Sequence, residues 1–246
     1  MYISKHLYVA FSGIFMLVNS SSDHVKQSSR PIEHSIVGSK ELTTSDVRSD
    51  DKIIAITEII KNKDVLGFLD KNEVLSRAVQ IQNETGLSAA TIIAQKGLES
   101  RWGKSKFCAR TKNLSNVKCT KRDCKKSNIK GLTKRGQTGS ETKHCIQLYD
   151  DGPNDRYVKL DYMWEGWSKY KKTINLPRYK KARIAKTIEE EPDALRRGGF
   201  ATDKKYGEKI LSSMRTNNLI ELQKYIDAGY TITTQTGKYI LLDQRG

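Results

Sequence analysis

Helical apolar spacing runs through most of this chain and is interrupted once, in the middle. Apolar side chains recur at helical intervals over residues 51–103 and again over 160–226, whereas residues 104–150 contain scattered Gly, Lys, Asn and Thr without a helical period. Amphipathic helices bury one face, and a short loop-rich stretch between them can form only a small sheet. The pattern predicts an α+β, mainly α fold with a small loop-rich β lobe.

Two segments open the first helical region. A strip of isoleucines over residues 53–60 has the spacing of a helix that docks onto a core or a partner. Asp70 stands three residues before Glu73, as in a capping box, and this predicts a helix start there. Gly86 is the predicted stop of that helix, because glycine readily adopts the left-handed backbone that ends helices.

The next segment is the best delimited of the chain. Ser88 has the side chain of an N-cap, and the segment Ala89–Ser100 carries Glu99 in its final turn and is predicted to break at Gly103. Its predicted packing side consists of Ala89, Ile92, Ile93 and Gly97.

Helical spacing returns in the second half of the chain. An aromatic stripe over residues 160–170 is expected to belong to the core rather than to a ligand platform. The residues at helical spacing are Leu160, Met163, Trp164, Trp167 and Tyr170, then Tyr179, Ala182 and Ala185, and finally Ile210, Leu211, Met214, Leu219, Leu222 and Ile226.

Strand signals are short. The sequence predicts strands near Leu114–Cys119 and Lys143–Tyr149 in the β lobe. Residues Tyr230–Leu242 alternate and predict a hairpin around Thr236 and Gly237.

The N-terminus has the pattern of an export signal. Lys5 and His6 precede the apolar run Leu7–Val18, which is too short to span a bilayer as a helix, and the small polar residues Asn19–Ser22 follow it. The pattern predicts a signal peptide over residues 1–20, an exported mature protein and no integral membrane span in it. A buried N-terminal helix is the alternative.

Positive charge is concentrated in two windows. The formal net charge is +16, and residues 101–135 contain 13 Lys and Arg against one acid, whereas residues 168–186 contain eight and no acid. Such windows favour an anionic polymer as partner, either nucleic acid or cell envelope.

Histidine and cysteine counts exclude several chemistries. Of the four histidines only His144 falls outside the predicted targeting and linker region, so a His-rich zinc site cannot form, and a Cys-His pair would depend on His144 alone. An even number of cysteines beside an export signal favours two disulfides, with zinc as the alternative. The cysteines are Cys108, Cys119, Cys124 and Cys145.

Glu99 is the candidate general acid. It stands at the C-terminal end of an apolar helix and is followed closely by Trp102 and Gly103. Burial disfavours a charged carboxylate, and the negative end of the helix dipole acts in the same direction, so such a group is suited to keep its proton near neutral pH. The alternative is a surface carboxylate that neutralises Arg101 or Lys104.

Five landmarks in order resemble the endo-β-N-acetylglucosaminidases of glycoside hydrolase family 73, the autolysin and flagellar-type peptidoglycan hydrolases. The landmarks are the helix end Ala94–Ser105, the segment Asn113–Lys118 in place of Asn-Leu-Phe-Gly-Ile-Lys, the strand Cys145–Tyr149, the pair Arg178-Tyr179, and Gly199–Asp203 with Tyr206 in place of Gly-Tyr-Ala-Thr-Asp…Tyr. The resemblance covers about residues 67–216. The departures from the family pattern are Ser115 and Asn116 for Phe-Gly and Phe200 for Tyr.

The resemblance implies a fold, a substrate and a set of site residues. It implies a lysozyme-like catalytic domain that binds peptidoglycan glycan strands between its helices and the β lobe, without metal or cofactor and without nucleic acid. We expect a linker and N-terminal helix over residues 21–66, the catalytic domain over 67–228 and a C-terminal tail over 229–246. The implied substrate-binding residues are Trp102, Asn113, Tyr149, Asp203 and Tyr206.

Glycoside hydrolysis needs a second group to support the oxocarbenium-like transition state or to activate water. Glu141 resembles the β-lobe glutamate of the family in its placement. Asp123, Asp150 and Asp151 are the other carboxylates of this lobe, and the substrate's own acetamido group, with Tyr206 positioning a water, is a further alternative.

Two other function classes fit part of the sequence. A lytic transglycosylase also uses one helix-end glutamate, but the Gly-Leu-Met-Gln segment of many such enzymes is absent. A non-catalytic protein that binds the envelope or nucleic acid would explain the charge, although few aromatic residues lie among the basic ones over 118–135. We therefore predict an exported glycosidase located in the periplasm, the cell envelope or outside the cell.

Overall fold

The computed structural model describes residues 52–70, 73–116, 118–119, 138–149, 155–235 and 238–243. The predicted signal peptide, most of the linker and residues 120–135 of the first basic window, with Asp123 and Cys124, lie outside these residues. Asp150, Asp151 and the turn at Thr236 and Gly237 lie outside them as well. The described helices are α1 (Ile56–Ile59), α2 (Lys63–Asp70), α3 (Val74–Thr85), α4 (Ala89–Ser100), α5 (Lys106–Thr111), α6 (Met163–Ile174), α7 (Lys180–Arg183) after a 3-10 turn at Pro177–Tyr179, α8 (Glu191–Arg197), α9 (Tyr206–Thr216) and α10 (Leu219–Asp227).

Two small antiparallel sheets accompany the helices. One contains β2 (Thr138–Glu141), β3 (Cys145–Leu148) and β4 (Arg156–Val158) in that order and forms the β lobe. The other contains β1 (Lys52–Ala55), β6 (Lys238–Asp243) and β5 (Thr231–Gln235), with β6 in the centre. The predicted α+β, mainly α fold with a small β lobe is confirmed.

Helix α4 is the central element of the helical core. The Ser88 hydroxyl caps it by accepting a hydrogen bond from the Thr91 amide, and its bounds are those that the sequence predicts. Helices α2, α3, α9 and α10 pack around it. Its residues Ala89–Gly97 and Ser100 are buried, so the whole predicted packing side lies in the core.

The end of α4 is a run of left-handed residues. Arg101, Trp102 and Gly103 have φ values of 54°, 55° and 75°, so the helix stops at Ser100 and the chain turns back. Trp102 folds over Gly97, where an added Cβ would lie 2.7 Å from Cη2 of the indole and closer to two other ring atoms. Glycine at this position therefore makes room for the tryptophan that closes the helix end.

The start of the folded region differs from the prediction. The isoleucine strip does not form one helix, because residues Lys52–Ala55 pair with β6 and only Ile56–Ile59 are helical. Within β1 the side chain of Ile54 is buried and that of Ile53 is exposed, which is the two-residue alternation of a strand. Pairing with a segment almost two hundred residues away overrides the local helical spacing.

The cap expected at Asp70 is also wrong. Asp70 is the last residue of α2, and α3 begins after Glu73, which has φ 56° and makes no side-chain cap. The predicted stop at Gly86 is confirmed, since this glycine has φ 82° and its amide donates to the Gln82 carbonyl.

The strand predictions are mixed. Around Leu114 the chain forms a turn rather than a strand, in which the Asn116 amide donates to the Asn113 carbonyl, and Lys118 makes only an isolated bridge with Tyr157. Strand β3 is confirmed. The alternating tail forms β5 and β6, which pair from Gln235 and Lys238 outwards.

The second helical region follows the predicted spacing. Helices α6, α9 and α10 are present, whereas the segment from Tyr179 is a 3-10 turn followed by the short α7. Trp167 and Tyr170 of the aromatic stripe are buried in the core, as predicted. None of the described helices combines the length and apolar character that crossing a membrane requires.

One disulfide ties the β lobe to the chain before it. Cys119 is bonded to Cys145, the first residue of β3, which confirms a disulfide among the four cysteines. The expectation of two bridges is wrong, because Cys108 is a free, buried thiol on α5.

Candidate active site

Glu99 lies half-buried in the last turn of α4, where Asn116 holds it. The Asn116 side-chain amide donates to Oε2 of Glu99 at 2.9 Å and to the Glu99 carbonyl at 3.0 Å. One asparagine thus satisfies a carbonyl that the helix end leaves open and orients the carboxyl group of the same residue.

The backbone of the turn explains why an asparagine can stand there. Asn116 has φ 47°, and asparagine is the residue after glycine that best tolerates this region. The family that the sequence resembles has glycine at this position. The substitution therefore keeps the turn and adds an amide that reaches Glu99.

Lys96 lies one helical turn before Glu99 and is also buried. Its Nζ donates to Oγ of Ser115 and lies 3.5 Å from the ring centroid of Tyr170 and 5.3 Å from that of Trp167. Burial lowers the pKa of Lys96 to about 7, while the charges of Glu99 and Cys108 act against this shift.

A chain of polar contacts runs beside these two residues. The Gln95 side chain donates to the Tyr206 hydroxyl at 2.6 Å and accepts from the Tyr170 hydroxyl. Burial raises the pKa of both tyrosines well above the usual value, and the charge of Glu99 adds to the shift of Tyr206. Phe200 stacks on Tyr206 with centroids 5.8 Å apart, so the departure from tyrosine at this position lies in a buried aromatic cluster.

The Cys108 thiol lies beside Glu99 and Asn116. Its Sγ lies 3.8 Å from the Glu99 carbonyl oxygen and 3.7 Å from Oδ1 of Asn116. Burial is the main reason why the pKa of this thiol rises to about 11, so it is uncharged near neutral pH.

Glu141 has a different setting at the end of β2. Its carboxylate pairs with Arg110 of α5 and with Nζ of Lys159, which lies 2.5 Å from Oε1 and follows β4. The hydrogen bond from Lys159 is the first cause that holds the pKa of Glu141 below its ordinary value, and Arg110 adds to it. This carboxylate is thus kept ionised.

Two predicted substrate-binding residues make contacts of the fold. The Trp102 ring packs edge-to-face on Phe68, with centroids 5.6 Å apart, in addition to covering Gly97. Asn113 is fully buried and donates to the Val158 carbonyl at 3.1 Å, which joins the turn to β4.

Three others lie at the β lobe and at the start of α9. Tyr149 is half-buried and directly follows β3. Asp203 accepts from the Lys205 amide at 2.9 Å and pairs with Lys209 at 2.6 Å, and these contacts keep its pKa below the ordinary value. Tyr206 is the first residue of α9 and is 1% exposed. Of the predicted set, Tyr206 lies near enough to Glu99 for the charge of that residue to raise its pKa further.

Sequence reasoning missed Lys96, Asn116 and the two cations around Glu141. Of these residues, Lys96 could have been identified from the sequence, because it is a charged residue among apolar ones and stands three positions before Glu99 on a predicted helix. The roles of Asn116, Arg110 and Lys159 depend on contacts between segments that are distant in sequence. Within the described part of the chain, no three His, Cys, Asp or Glu side chains are grouped as metal ligands would be.

A comparison with protein-family models identifies the same family as the sequence resemblance. The family model for glucosaminidases, described as mannosyl-glycoprotein endo-beta-N-acetylglucosaminidase, matches residues 75–219, more than half of the chain. A comparison with curated proteins gives no match.

Several solved structures are similar to the chain. The catalytic domain of the autolysin Auto from Listeria monocytogenes is 24% identical over 65% of this chain and 88% of its own, with a TM-score of 0.47. The peptidoglycan hydrolase from Sphingomonas sp. A1 is 23% identical over 68% and 97%, with a TM-score of 0.46. A truncated glycoside hydrolase domain of FlgJ from Salmonella typhimurium is 25% identical over 62% and 96%, with a TM-score of 0.44.

Proposed function

The chain belongs to the glucosaminidase family; from this premise we propose that it is a glycoside hydrolase that acts on peptidoglycan and cleaves the β-1,4 bond after N-acetylglucosamine in glycan strands, with Glu99 as the general acid. The observation that carries the proposal is the setting of Glu99. It lies within the matched residues, at the end of a buried helix, with its carboxyl group oriented by Asn116. A positioned carboxylic acid is what protonation of the leaving oxygen requires.

Glu141 is our proposal for the second group. Arg110 and Lys159 keep this carboxylate ionised, and an ionised carboxylate can stabilise a developing oxocarbenium ion or accept a proton from water. The substrate's own acetamido group is the alternative to Glu141 in this role. Substitution of Glu141 distinguishes the two, because a reaction assisted by the acetamido group would not need this carboxylate.

The proposed substrate-binding set, with three different roles, remains Trp102, Asn113, Tyr149, Asp203 and Tyr206. Tyr149 and Asp203 are partly exposed and are proposed to touch the glycan. Asn113 and Tyr206 are buried, so we propose that they support the residues that touch it. Trp102 is half-buried and is proposed to close the helix end beside Glu99.

The two basic windows of the sequence, residues 101–135 and 168–186, fit the proposed substrate. A peptidoglycan hydrolase acts in the cell envelope or outside the cell, where its polymer carries anionic groups. Exposed cations raise the local concentration of such a polymer at low salt. We propose export by the N-terminal segment as the route to this compartment.

Digestion of purified peptidoglycan by the full chain, followed by mass spectrometry of the products, tests the proposal. Free reducing N-acetylglucosamine ends are expected. Ends of the 1,6-anhydro type would instead identify a lytic transglycosylase. Retention on peptidoglycan without any released product, under conditions where a known glucosaminidase is active, would identify a binding protein.

A further inference from the structure

Lys96 is a buried cation beside the proposed acid. Its side chain is 2% exposed, and it stands three residues before Glu99 on α4. Residues at this spacing share a helix face, with Cβ atoms about 5–6 Å apart. Because burial of a lone ammonium is costly, the partners of Lys96 indicate what the charge does.

The contacts of Lys96 lead to Glu99 through one turn of the chain. Lys96 donates to the hydroxyl of Ser115 and faces the rings of Tyr170 and Trp167, which attract a cation. Asn116, the next residue after Ser115, donates to the carboxyl group of Glu99. Two consecutive residues therefore contact the two charged groups of one helix face.

Three buried titratable groups around this pair are uncharged near neutral pH. Burial raises the pKa of Cys108 on α5 to about 11 and the pKa values of Tyr170 on α6 and Tyr206 on α9 well above the ordinary value. Glu191 lies at the opposite end of α4, against Ser88. Among the groups named here, Lys96 is thus the cation whose charge acts on Glu99.

We propose that Lys96 is a positioning residue that acts through Glu99: its ammonium favours the ionised carboxyl group and thereby sets the upper pH limit of catalysis. The proposal rests on the proposed role of Glu99 as general acid. A positive charge one helical turn away makes Glu99 release its proton at a lower pH than it would beside a neutral side chain. Removal of that charge should extend activity towards higher pH.

The pH dependence of kcat/KM on peptidoglycan tests this in the full chain. Lys96→Met keeps a side chain of similar length and removes the charge. Lys172→Met removes the same charge from an exposed position on α6 and is the matched control. We expect the high-pH limb to move up by about one pH unit in Lys96→Met, the size of effect that one nearby opposite charge produces, and to stay in place in Lys172→Met. An unchanged limb in Lys96→Met overturns the proposal.

Carbon-13 NMR of the Glu99 carboxyl group gives a readout that needs no turnover. The signal is assigned by its loss in Glu99→Gln. Coupled groups titrate together, so the wild-type signal should show a second inflection where Lys96 loses its proton, and this inflection should vanish in Lys96→Met. A single inflection in the wild type overturns the proposal even if Lys96→Met fails to fold. If the wild type cleaves no peptidoglycan at any pH, the proposed function fails, while the titration still decides the influence of Lys96.

Discussion

The two carboxylates of the proposed reaction lie in regions built in different ways. Glu99 ends a helix that is buried along almost its whole length, and a neutral amide, a buried lysine and uncharged aromatic hydroxyls surround it. Glu141 ends a short strand of the β lobe, and two cations from different segments hold it. Packing of a core fixes the first group, whereas charge pairing across a small lobe fixes the second.

The difference matches the two tasks of a glycosidase. A proton donor tolerates fewer cations around it than an ionised base or stabilising group does, and Glu99 has the buried Lys96 beside it where Glu141 pairs with two cations. The lobe that carries Glu141 consists of strands of three or four residues anchored by one disulfide, so it does not depend on the packing around α4.

Glu99→Gln should have the largest effect. The amide is nearly isosteric and cannot donate a proton to the leaving oxygen, so we expect a loss of about 10²-fold or more in turnover with an unchanged melting temperature. Release of soluble fragments from purified peptidoglycan measures it. Glu58→Gln, an exposed glutamate on α1, is the control and should retain full activity. Unchanged turnover in Glu99→Gln would remove this residue from the mechanism.

Glu141→Gln should reduce turnover by about tenfold or more while leaving glycan affinity close to that of the wild type. Glu141→Ala should be partly rescued by azide or formate, because a small anion can occupy the vacated space. The same anions should rescue Glu99→Ala far less with natural substrate, since they restore no proton donor. Full activity in Glu141→Ala would shift the second role to another carboxylate or to the acetamido group.

The disulfide should stabilise the β lobe more than the helical core. Replacement of Cys119 and Cys145 together by serine should lower the free energy of unfolding by about 2–4 kcal/mol in the chain-entropy model. Hydrogen exchange of β3 and β4 amides should accelerate before that of α4. Equal acceleration in both regions would show that lobe and core unfold as one unit and would break the comparison.

Gly97→Ala tests the packing at the end of α4. The added methyl group collides with the Trp102 ring, and overpacking of this kind costs about 1–3 kcal/mol. Gly67→Ala is the matched control, because no atom lies within 4 Å of an added Cβ at that position on α2. Thermal unfolding should show a loss for the first variant and a small gain for the second. Similar melting temperatures for the two variants would contradict the fold-back of Trp102 over the helix.

Glu191 should give the helical core a pH dependence of its own. It accepts hydrogen bonds from the Ser88 amide and hydroxyl, and burial raises its pKa to about 7. The protonated form therefore stabilises the fold fully below the unfolded-state value of about 4.5, and this contribution is lost as pH rises through 7. Between these values, wild-type stability should fall relative to Glu191→Gln by at most about 1.4 kcal/mol per pH unit. Parallel stability curves for the two proteins would contradict the shift.

The sequence by itself determined the elements whose causes are local. Ser88, the apolar periodicity and Gly86 specify the bounds of α4 and the end of α3, since a cap, a buried stripe and a left-handed stop act within a few residues. These local signals also placed Glu99 in the last turn of a buried helix. The alternation of the C-terminal residues likewise predicted the strands β5 and β6.

Only the tertiary structure decided the contacts between distant segments. The isoleucines at the start form β1 because β6 offers them a partner, and the segment near Leu114 forms a turn because Asn116 docks on the end of α4. The lysine beside Glu99 and the cations around Glu141 likewise owe their surroundings to other helices and strands. The local spacing of residues does not specify which side chains from distant segments will contact a given group. For Glu99 and Glu141 those contacts determine the charge state and the orientation of the carboxyl group.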